Sequence, residues 1–392
     1  ISACMSVHQR LHSFFCIHRL LIRLLAFCAG VASVALQAEE QPRLRYAENF
    51  TVEQTKAGKL VTVLSPWRDA VGSSRQYMLT REPEEHPDIH PDVSRIEVPA
   101  KRVIAASTTM IPHFDALNAL DRLIGTSDTR LVNTPSARAL IEAGKIESMG
   151  QSASLNVEYV VAANPDVVLT SSAGDSRHDG HRHLQKVGVP VALSASYMEL
   201  HPLGRAEWIK FTALFLGLEA EAEEVFDKIE QRYENLRKKV REAAIEPPTV
   251  LFNVPWGGTW YMPSGESYRA TFMRDAGADY LWKSTGRGGG SLKLDFETVY
   301  ARAHRADFWL NTSQYHTLEA LRDADSRYAD FKAFRLKQVY NKDERVNEHG
   351  GNDIYERGTL HPGEVLGDYI KIFHPQLVPE HELIYHQRLP NQ

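Results

Sequence analysis

Two segments of the chain repeat the same pattern of residues. Residues 155–171 read LNVEYVVAANPDVVLTS, and residues 294–313 read LDFETVYARAHRADFWLNTS. Each begins with Leu, an amide or acidic residue, an apolar residue and Glu. Each continues with the apolar spacing of a helix and ends in an apolar run followed by Thr-Ser. A pattern of this length that recurs within one chain predicts two lobes that are built alike.

Strands and helices alternate on both sides of a long helical segment. Short apolar runs such as RVIAAS, which begins at Arg102, and TVLFNVP, which begins at Thr249, predict buried strands. Residues 205–244 have helical apolar spacing, with acids near the start and bases near the end, and Gly217 is the point where this helix could divide. This order predicts an α/β protein with two lobes of mainly parallel sheet joined by a long rigid helix.

The region before the first lobe has a different pattern. Residues 45–80 contain three strand-like runs with a turn at residues 56–58, which predicts a small N-terminal β extension, and residues 81–101 are rich in Pro and acids and predict a loop. The predicted divisions are a signal peptide (1–38), the β extension and linker (39–100), the N-terminal α/β lobe (101–200), the connecting helix (201–246) and the C-terminal α/β lobe (247–392).

The N-terminal segment has the features of an export signal. Three arginines precede an apolar stretch at residues 24–36, which is too short to span a bilayer. Cleavage after Ala35 or Ala38 would release a periplasmic protein. All three cysteines of the chain lie in this segment, so the mature protein would have no disulfide and no cysteine nucleophile. Cys28 is the alternative candidate for a lipid anchor.

Composition and motifs exclude several classes of function. The net charge of −5 and the pI near 6.4 give no basic surface for nucleic acid. The chain lacks the phosphate-binding loop GxxxxGK[ST], the nucleophile motif GxSxG and the zinc motif HExxH. We therefore expect no cofactor, and a metal-cofactor enzyme built on similar lobes remains only a weak alternative.

Several segments in a fixed order resemble a known family. They are RVIAAS, NVEYVVAANPDVVLTS, TVLFNVPWGGTWYMPSGESYRATFMRDAGADYLW, LDFETVYARAHRADFWL and DYIKIFHPQLVP. Together they resemble the extracytoplasmic substrate-binding proteins of ABC importers for iron–siderophore complexes, haem and vitamin B12. The resemblance covers residues 102–389 and gives no account of the β extension. It implies a monomer that delivers its ligand to a permease and its ATPase in the inner membrane.

The resemblance also implies one docking acid on the surface of each lobe. The matching positions are Glu158 and Glu297, which occupy the same place in the repeated pattern. A plainer interpretation is that each acid lies in the first turn of a helix, where a negative charge is favourable by ~0.3–1 kcal/mol. The two interpretations are compatible.

Candidate ligand-binding residues follow the predicted strands, because ligands of open α/β sheets bind beyond the carboxyl ends of the strands. Aromatic side chains on a Gly- and Pro-rich segment suit a flat, partly apolar ligand, although each could instead pack in the core. The candidates are Trp256, Trp260, Tyr261 and Tyr268 after one strand, and Thr109, Met110 and His113 after another.

Two polar segments supply further candidates. Arg177, with the weak metal candidates His178, His181 and His183, follows DVVLTS, and Arg345, Asn352 and Arg357 follow the last predicted strand. Arginines at such places would pair with the carboxylate or catecholate oxygens of a chelate. We therefore expect capture of an iron chelate, haem or a corrinoid between the lobes, with binding of free Zn or Mn as the alternative.

Overall fold

The structure contains two sheets with mainly parallel strands, one in each lobe. This computed structural model describes residues 43–68, 70, 72–81, 93–151, 154–174, 180–286 and 289–392, and Leu44–Gln392 form one compact unit. The predicted signal peptide and the three cysteines lie outside the described residues. In the part of the chain that is described, every helix is too short or too polar to cross a membrane.

The strands, in chain order, are β1 (Phe50–Thr55), β2 (Gly58–Val63), β3 (Arg75–Thr80), β4 (Ser94–Glu97), β5 (Val103–Ala105), β6 (Leu123–Thr126), β7 (Glu147–Ser148), β8 (Gly150–Gln151), β9 (Ser154–Leu155), β10 (Val167–Thr170), β11 (Val191–Leu193), β12 (Thr249–Phe252), β13 (Pro255–Trp256), β14 (Thr259–Pro263), β15 (Asp279–Tyr280), β16 (Ser291–Leu294), β17 (Phe308–Leu310), β18 (Val339–Asn341) and β19 (Gln387–Arg388).

The α-helices, in chain order, are α1 (Ile111–Ala116), α2 (Pro135–Glu142), α3 (Val157–Ala163), α4 (His181–Lys186), α5 (Pro202–Leu216), α6 (Glu219–Glu242), α7 (Tyr268–Asp275), α8 (Phe296–Ala303), α9 (Leu318–Ala324), α10 (Lys332–Arg335), α11 (Arg357–Leu360) and α12 (Pro362–Phe373). Short 3-10 helices cover Thr108–Met110, Leu120–Arg122, Thr129–Leu131, Ser196–Met198, Ser326–Asp330 and Pro375–Leu377.

Each lobe is built on one sheet covered by helices. In the first lobe the strand order is β11-β10-β5-β6-β7, and every neighbouring pair is parallel. In the second lobe the order is β15-β12-β17-β18-β19, which is parallel except for β19. Strands β5 and β11 are buried at every position, as expected of apolar runs covered on both faces. The predicted α/β class is confirmed.

The repeated sequence pattern forms the same structure twice. Asn156 precedes α3, and its Oδ1 accepts the N–H of Glu158 at 2.9 Å. Asp295 precedes α8 in the same way, and its Oδ1 accepts the N–H of Thr298 at 2.7 Å. Each helix leads into an inner strand of its sheet, β10 or β17. The pattern therefore specifies a capped helix followed by a buried strand in both lobes.

The connection between the lobes consists of two helices rather than one. Helix α5 ends at Gly217, which has a φ of 64° and closes the helix in the left-handed conformation that glycine favours. Nearly all of α5 is buried, so it is a central helix of the molecule. Helix α6 is amphipathic and buries one face, which includes Phe226, Ile229 and Tyr233.

The N-terminal extension forms a sheet in the order β1-β2-β3-β4. The prediction that residues 81–101 are a loop is wrong for Ser94–Glu97, which pairs in parallel with β3 as strand β4. Only Ile96 of this strand is buried, and a run with a single buried apolar residue carries no alternation for sequence reasoning to detect.

Buried carboxylates join the extension to α5. Glu207 is fully buried and accepts the backbone N–H groups of Arg45, Tyr46 and Ala47 at 2.7–3.0 Å. Its Oε1 also accepts a hydrogen bond from Lys210 Nζ at 2.9 Å. The Arg45 side chain forms ion pairs with three acids of α6, namely Glu223, Asp227 and Glu230.

The lobes also contact each other away from the connecting helices. The carboxylate of Glu356, in the second lobe, accepts the N–H groups of Asn133 and Thr134, both at 2.8 Å, just before α2 of the first lobe. Asn347 Nδ2 donates to the carbonyl of Arg130 at 3.0 Å. These bonds fix the position of one lobe against the other beside the cleft between them.

Candidate ligand-binding cleft

A cavity of about 540 Å³ lies between the two lobes. Its first-lobe wall comes from residues just beyond β5, β10 and β11, which include Ser107, Ser171 and Ser194. Its second-lobe wall includes Phe252, at the end of β12, and Lys342, just after β18. The cavity therefore lies at the carboxyl ends of the parallel strands, where open α/β sheets bind ligands, and its volume is that of a site for a small-molecule ligand.

The cavity is lined by cationic side chains. They are Arg205, Arg269, Lys342 and Arg68. None of the four takes part in an ion pair within the described residues. Glu199 also lines the cavity, but its carboxylate accepts the N–H groups of Glu48 and Asn49 and the Trp208 indole N–H at 2.9 Å. Among the described residues, the cleft thus holds cationic groups that form no ion pair with a carboxylate, and an anionic ligand would be complementary to them.

Tyr268 lies between two of these arginines. The Arg205 guanidinium carbon is 3.5 Å from the centre of the Tyr268 ring, and that of Arg269 is 5.5 Å away. Burial alone would raise the pKa of the Tyr268 hydroxyl, but Arg269 and Arg205 together hold this pKa below its usual value. Tyr268 can therefore present a polarised hydroxyl to a ligand.

Arg205 is positioned by the backbone of the first lobe. Its Nη2 donates to the carbonyl of Tyr197 at 2.6 Å and its Nε to that of Glu199 at 3.1 Å. Burial lowers the pKa of Arg205 relative to its ordinary value. An arginine is still protonated at neutral pH, so this guanidinium remains a fixed positive charge in the cleft.

Lys342 is the cation of the cleft that titrates near neutral pH. Burial and, secondly, the nearby charge of Arg269 lower the pKa of Lys342 to about 7. Its Nζ donates to the hydroxyl of Tyr355, which also lines the cavity. The charge at this position therefore depends on pH and on any anion bound beside it.

The predicted residues of the first wall divide between the cavity and the core. Thr109 and Met110 of the first lobe line the cavity, as does Tyr268 of the second lobe. His113 is buried outside the lining, and its Nδ1 is 2.8 Å from Thr212 Oγ1. Burial and, secondly, the charge of His361 lower the pKa of His113 to about 3, so its ring is neutral.

The aromatic residues of the 255–263 hairpin lie outside the lining of the cavity. Trp260 is fully buried in the second lobe, and its Nε1 donates to the carbonyl of Phe252 at 2.9 Å. Trp256 and Tyr261 are 73% and 39% exposed on β13 and β14, which pair as an antiparallel hairpin. The sequence of this segment did not indicate that these three rings would lie outside the cavity lining.

Arg345 and Arg357 line a second cavity, of about 390 Å³, which shares no lining residue with the main cavity. Both are paired: Arg345 Nε is 2.7 Å from Asp353, and Arg357 Nη2 is 2.7 Å from Glu364. Asn352 Nδ2 donates to the carbonyl of Lys342 at 2.8 Å and so supports the loop that carries Lys342. The cationic residues that the sequence selected here are therefore already neutralised.

The histidine cluster is only partly described. His181 is buried at the start of α4 and His183 is exposed, while Arg177 and His178 lie outside the described residues. Within the described ranges, no group of three or more His, Cys, Asp and Glu side chains is arranged to hold a metal ion.

The two candidate docking acids lie on the surface. Glu158 is exposed in the first turn of α3 and Glu297 in the first turn of α8. The Glu297 side chain is 76% exposed, and its Oε1 is 3.5 Å from Arg327 Nη1. Both acids are available to a partner.

Sequence reasoning missed the cations of the cleft. Lys342 directly follows the last predicted strand, and the strand-end rule that selected Arg345 applies equally to it. Arg269 is adjacent to Tyr268, and on a helix both can face one site. Arg205 and Arg68 carry no such signal, because one begins a long helix and the other lies in the extension.

Comparison with known proteins places the chain among binding proteins. A sequence profile of the family described as "Periplasmic binding protein" matches residues 103–346. Two lipoproteins of Methanocaldococcus jannaschii, both described as uncharacterized, are 30% identical to the chain: one over 88% of the chain and 87% of its own length, the other over 72% and 67%.

Solved structures share the fold. A periplasmic binding protein from Veillonella parvula matches with a TM-score of 0.56 at 14% identity, over 83% of this chain and 98% of its own. A periplasmic haem-binding protein from Pseudomonas aeruginosa matches with a TM-score of 0.54 at 19% identity, over 70% and 93%. At these identities the likeness concerns the fold.

Proposed function

Because the chain belongs to the periplasmic binding protein family, we propose that it is the substrate-binding component of an ABC importer and captures an anionic metal chelate between its lobes. The observation that supports this proposal most directly is a set of cavity cations that form no ion pair among the described residues, namely Arg205, Arg269, Lys342 and Arg68. Leaving such groups unpaired in a cleft is unfavourable for the free protein. A bound anion would supply the missing charge.

Two kinds of iron complex are complementary to the cationic side chains of the cavity. A ferric siderophore with catecholate or carboxylate groups carries negative charge around the metal, which guanidinium groups bind well. Haem carries two propionates, and a tyrosine can serve as its axial ligand; Tyr197, Tyr268, Tyr355 and Tyr369 all line the cavity. A corrinoid offers less charge for the cations to bind. For free Zn or Mn, the described residues offer no suitable cluster.

The delivery step would use the two surface acids. We propose that Glu158 and Glu297 dock onto arginines of the permease, one from each lobe. The description of the two archaeal relatives as lipoproteins supports the alternative in which Cys28 carries a lipid anchor. Either form would act outside the cytoplasmic membrane, as the family does.

The proposal is tested by titration of the purified protein. Tryptophan fluorescence would be followed during addition of a hexadentate ferric tricatecholate, haemin and cyanocobalamin, and calorimetry would measure Zn and Mn. We expect saturable quenching by the tricatecholate or by haemin at micromolar or lower concentration. Absence of binding to both, or tighter binding of a free metal ion, would contradict the proposal.

The affinity for an anionic chelate should depend on pH through Lys342. The protonated amine attracts the anion, so binding should weaken as pH rises above the Lys342 pKa of about 7, by at most about tenfold per pH unit for a single proton. The measurement is the dissociation constant of the anionic probe at pH 7, 8 and 9.

A matched variant separates Lys342 from the nearby tyrosine. Lys342→Arg keeps its charge throughout this range and should remove most of the pH dependence. The pKa of the Tyr268 hydroxyl is also lowered, by Arg269 and Arg205, and ionisation of this hydroxyl would oppose an anion. A pH dependence that persists unchanged in Lys342→Arg would assign the effect to Tyr268 and refute the role of Lys342.

Charge reversal at both docking acids should separate transport from binding. In Glu158→Lys with Glu297→Lys, we expect ligand affinity to be unchanged, because neither acid lines the cavity. Delivery to the cognate permease in proteoliposomes should fall to roughly a tenth or less, since like charges would face each other at the interface. The control reverses two other exposed acids, Glu142 and Glu382. Equal delivery by both double variants would rule out the docking assignment.

A further inference from the structure

The N-terminal extension contributes to the cleft, although it precedes the family match, which begins at residue 103. The segment between β2 and β3 carries Trp67 and Arg68, and Arg68 is one of the residues that line the cavity. The family relationship assigns no role to these two residues.

Trp67 fixes this segment against the first lobe. A Cβ atom at Gly174 would lie 2.4 Å from Trp67 Cδ1, so the indole lies directly on the Gly174 backbone, which has a φ of 78°. Gly174 follows β10, close to the cavity residue Ser171. The Trp67 ring also packs against the apolar cluster around β5, β10 and β11, and Arg75 lies over it at 5.1 Å.

Arg68 reaches the second lobe. A Cβ atom at Gly290 would lie 3.4 Å from Arg68 Nη1, and Gly290 also lines the cavity. Neighbouring residues of the extension thus contact the first lobe through Trp67 and the second through Arg68. The segment bridges the two lobes beside the cavity.

The rest of the extension is held rigidly to the first lobe and α5. Phe50 packs against Trp208 and Phe211 with ring centres 4.7 and 5.6 Å apart, and the Tyr77 hydroxyl accepts the N–H of Leu193 at 2.9 Å. Glu199, which lines the cavity, binds the backbone of Glu48 and Asn49. An element held by this many buried contacts can place a side chain accurately in the cleft.

We propose that the extension is a specificity-determining part of the ligand site, in which Trp67 positions Arg68 to pair with a negative group of the bound chelate. This inference rests on the proposed function and adds the residue that selects for ligand charge. Arg68 is exposed in the free protein and has no ion-pair partner among the described residues, so its guanidinium is available to a ligand.

The test compares ligands that differ in charge. The probes are a hexadentate ferric tricatecholate and an uncharged ferric trihydroxamate of similar size, together with haemin and its uncharged dimethyl ester. For whichever pair the wild-type protein binds, Arg68→Gln should weaken binding of the charged probe roughly fivefold and leave the uncharged probe unchanged. Lys56→Gln, which removes the same charge from the exposed turn between β1 and β2, should change neither.

A second variant tests the position of Trp67 without altering Arg68. Gly174→Ala introduces a Cβ against the indole and a residue that disfavours positive φ. Like Arg68→Gln, it should therefore lower the affinity for the charged probe. An unchanged affinity in Arg68→Gln, or an equal loss for both probes of a pair, would overturn the inference. Failure of the wild-type protein to bind any probe would instead contradict the proposed function.

Discussion

Replacing Arg269 by glutamine should weaken binding of an anionic chelate roughly a hundredfold, or about 3 kcal/mol. Arg269 lines the cavity beside Tyr268 and Phe252 and has no ion-pair partner among the described residues. It hydrogen-bonds to Tyr268, and a bound anion would supply the missing counter-charge in a partly buried site where water competes weakly. The measurement is a fluorescence titration with the ferric tricatecholate or haemin.

The free protein should respond to this change in the opposite way. A guanidinium held in a cleft without a counter-charge contributes little to folding, so Arg269→Gln should leave the free energy of unfolding in urea unchanged or raise it. Arg305→Gln is the matched control, because Arg305 is exposed in the same lobe and does not line the cavity. A variant that binds normally, or one that is destabilised in the free state, would show that Arg269 has a structural role instead.

Glu207→Gln should cost about 3–5 kcal/mol in the free energy of unfolding. The carboxylate is fully buried, accepts the backbone N–H groups of residues 45–47 and pairs with the buried Lys210. An amide of the same shape brings its own N–H₂ group against one of these donors and leaves Lys210 with less compensating charge. Urea unfolding followed by circular dichroism measures the loss.

The control for this prediction is an acid on the surface of the neighbouring helix. Glu221→Gln changes the same chemical group at an exposed position of α6 and should alter stability by less than about 0.5 kcal/mol. Equal effects of the two substitutions would show that the extension is not held by Glu207. Lys210 also contacts Glu223 at 2.7 Å, which leaves it one carboxylate partner in the variant.

The architecture could be predicted because its determinants are local. The repeated pattern contains a capping residue, a helical apolar period and a buried strand, all within twenty residues, and each part forms where the sequence places it. Buried parallel strands are uninterrupted apolar runs, which sequence analysis detects well. Strand β4 was missed because its pairing depends on β3 rather than on its own residues.

The site could be predicted only in part, because convergence is a property of the tertiary fold. Tyr268 and Met110 were found by the strand-end rule, and both line the cavity. Trp260 obeys the same rule in sequence, but the alternation of β14 turns its ring into the core. Arg205, Arg269 and Lys342 come from distant parts of the chain, and no local pattern indicates that they share one cavity.

The way Arg45 is held has a mechanical consequence. Its side chain pairs with three acids of α6 and its backbone N–H is bound by Glu207 of α5, so this end of the compact unit is anchored on the two connecting helices. A force applied at Arg45 would therefore reach these helices first. Because the four acids that hold Arg45 do not line the cavity, such a force would be carried with little opening of the cleft.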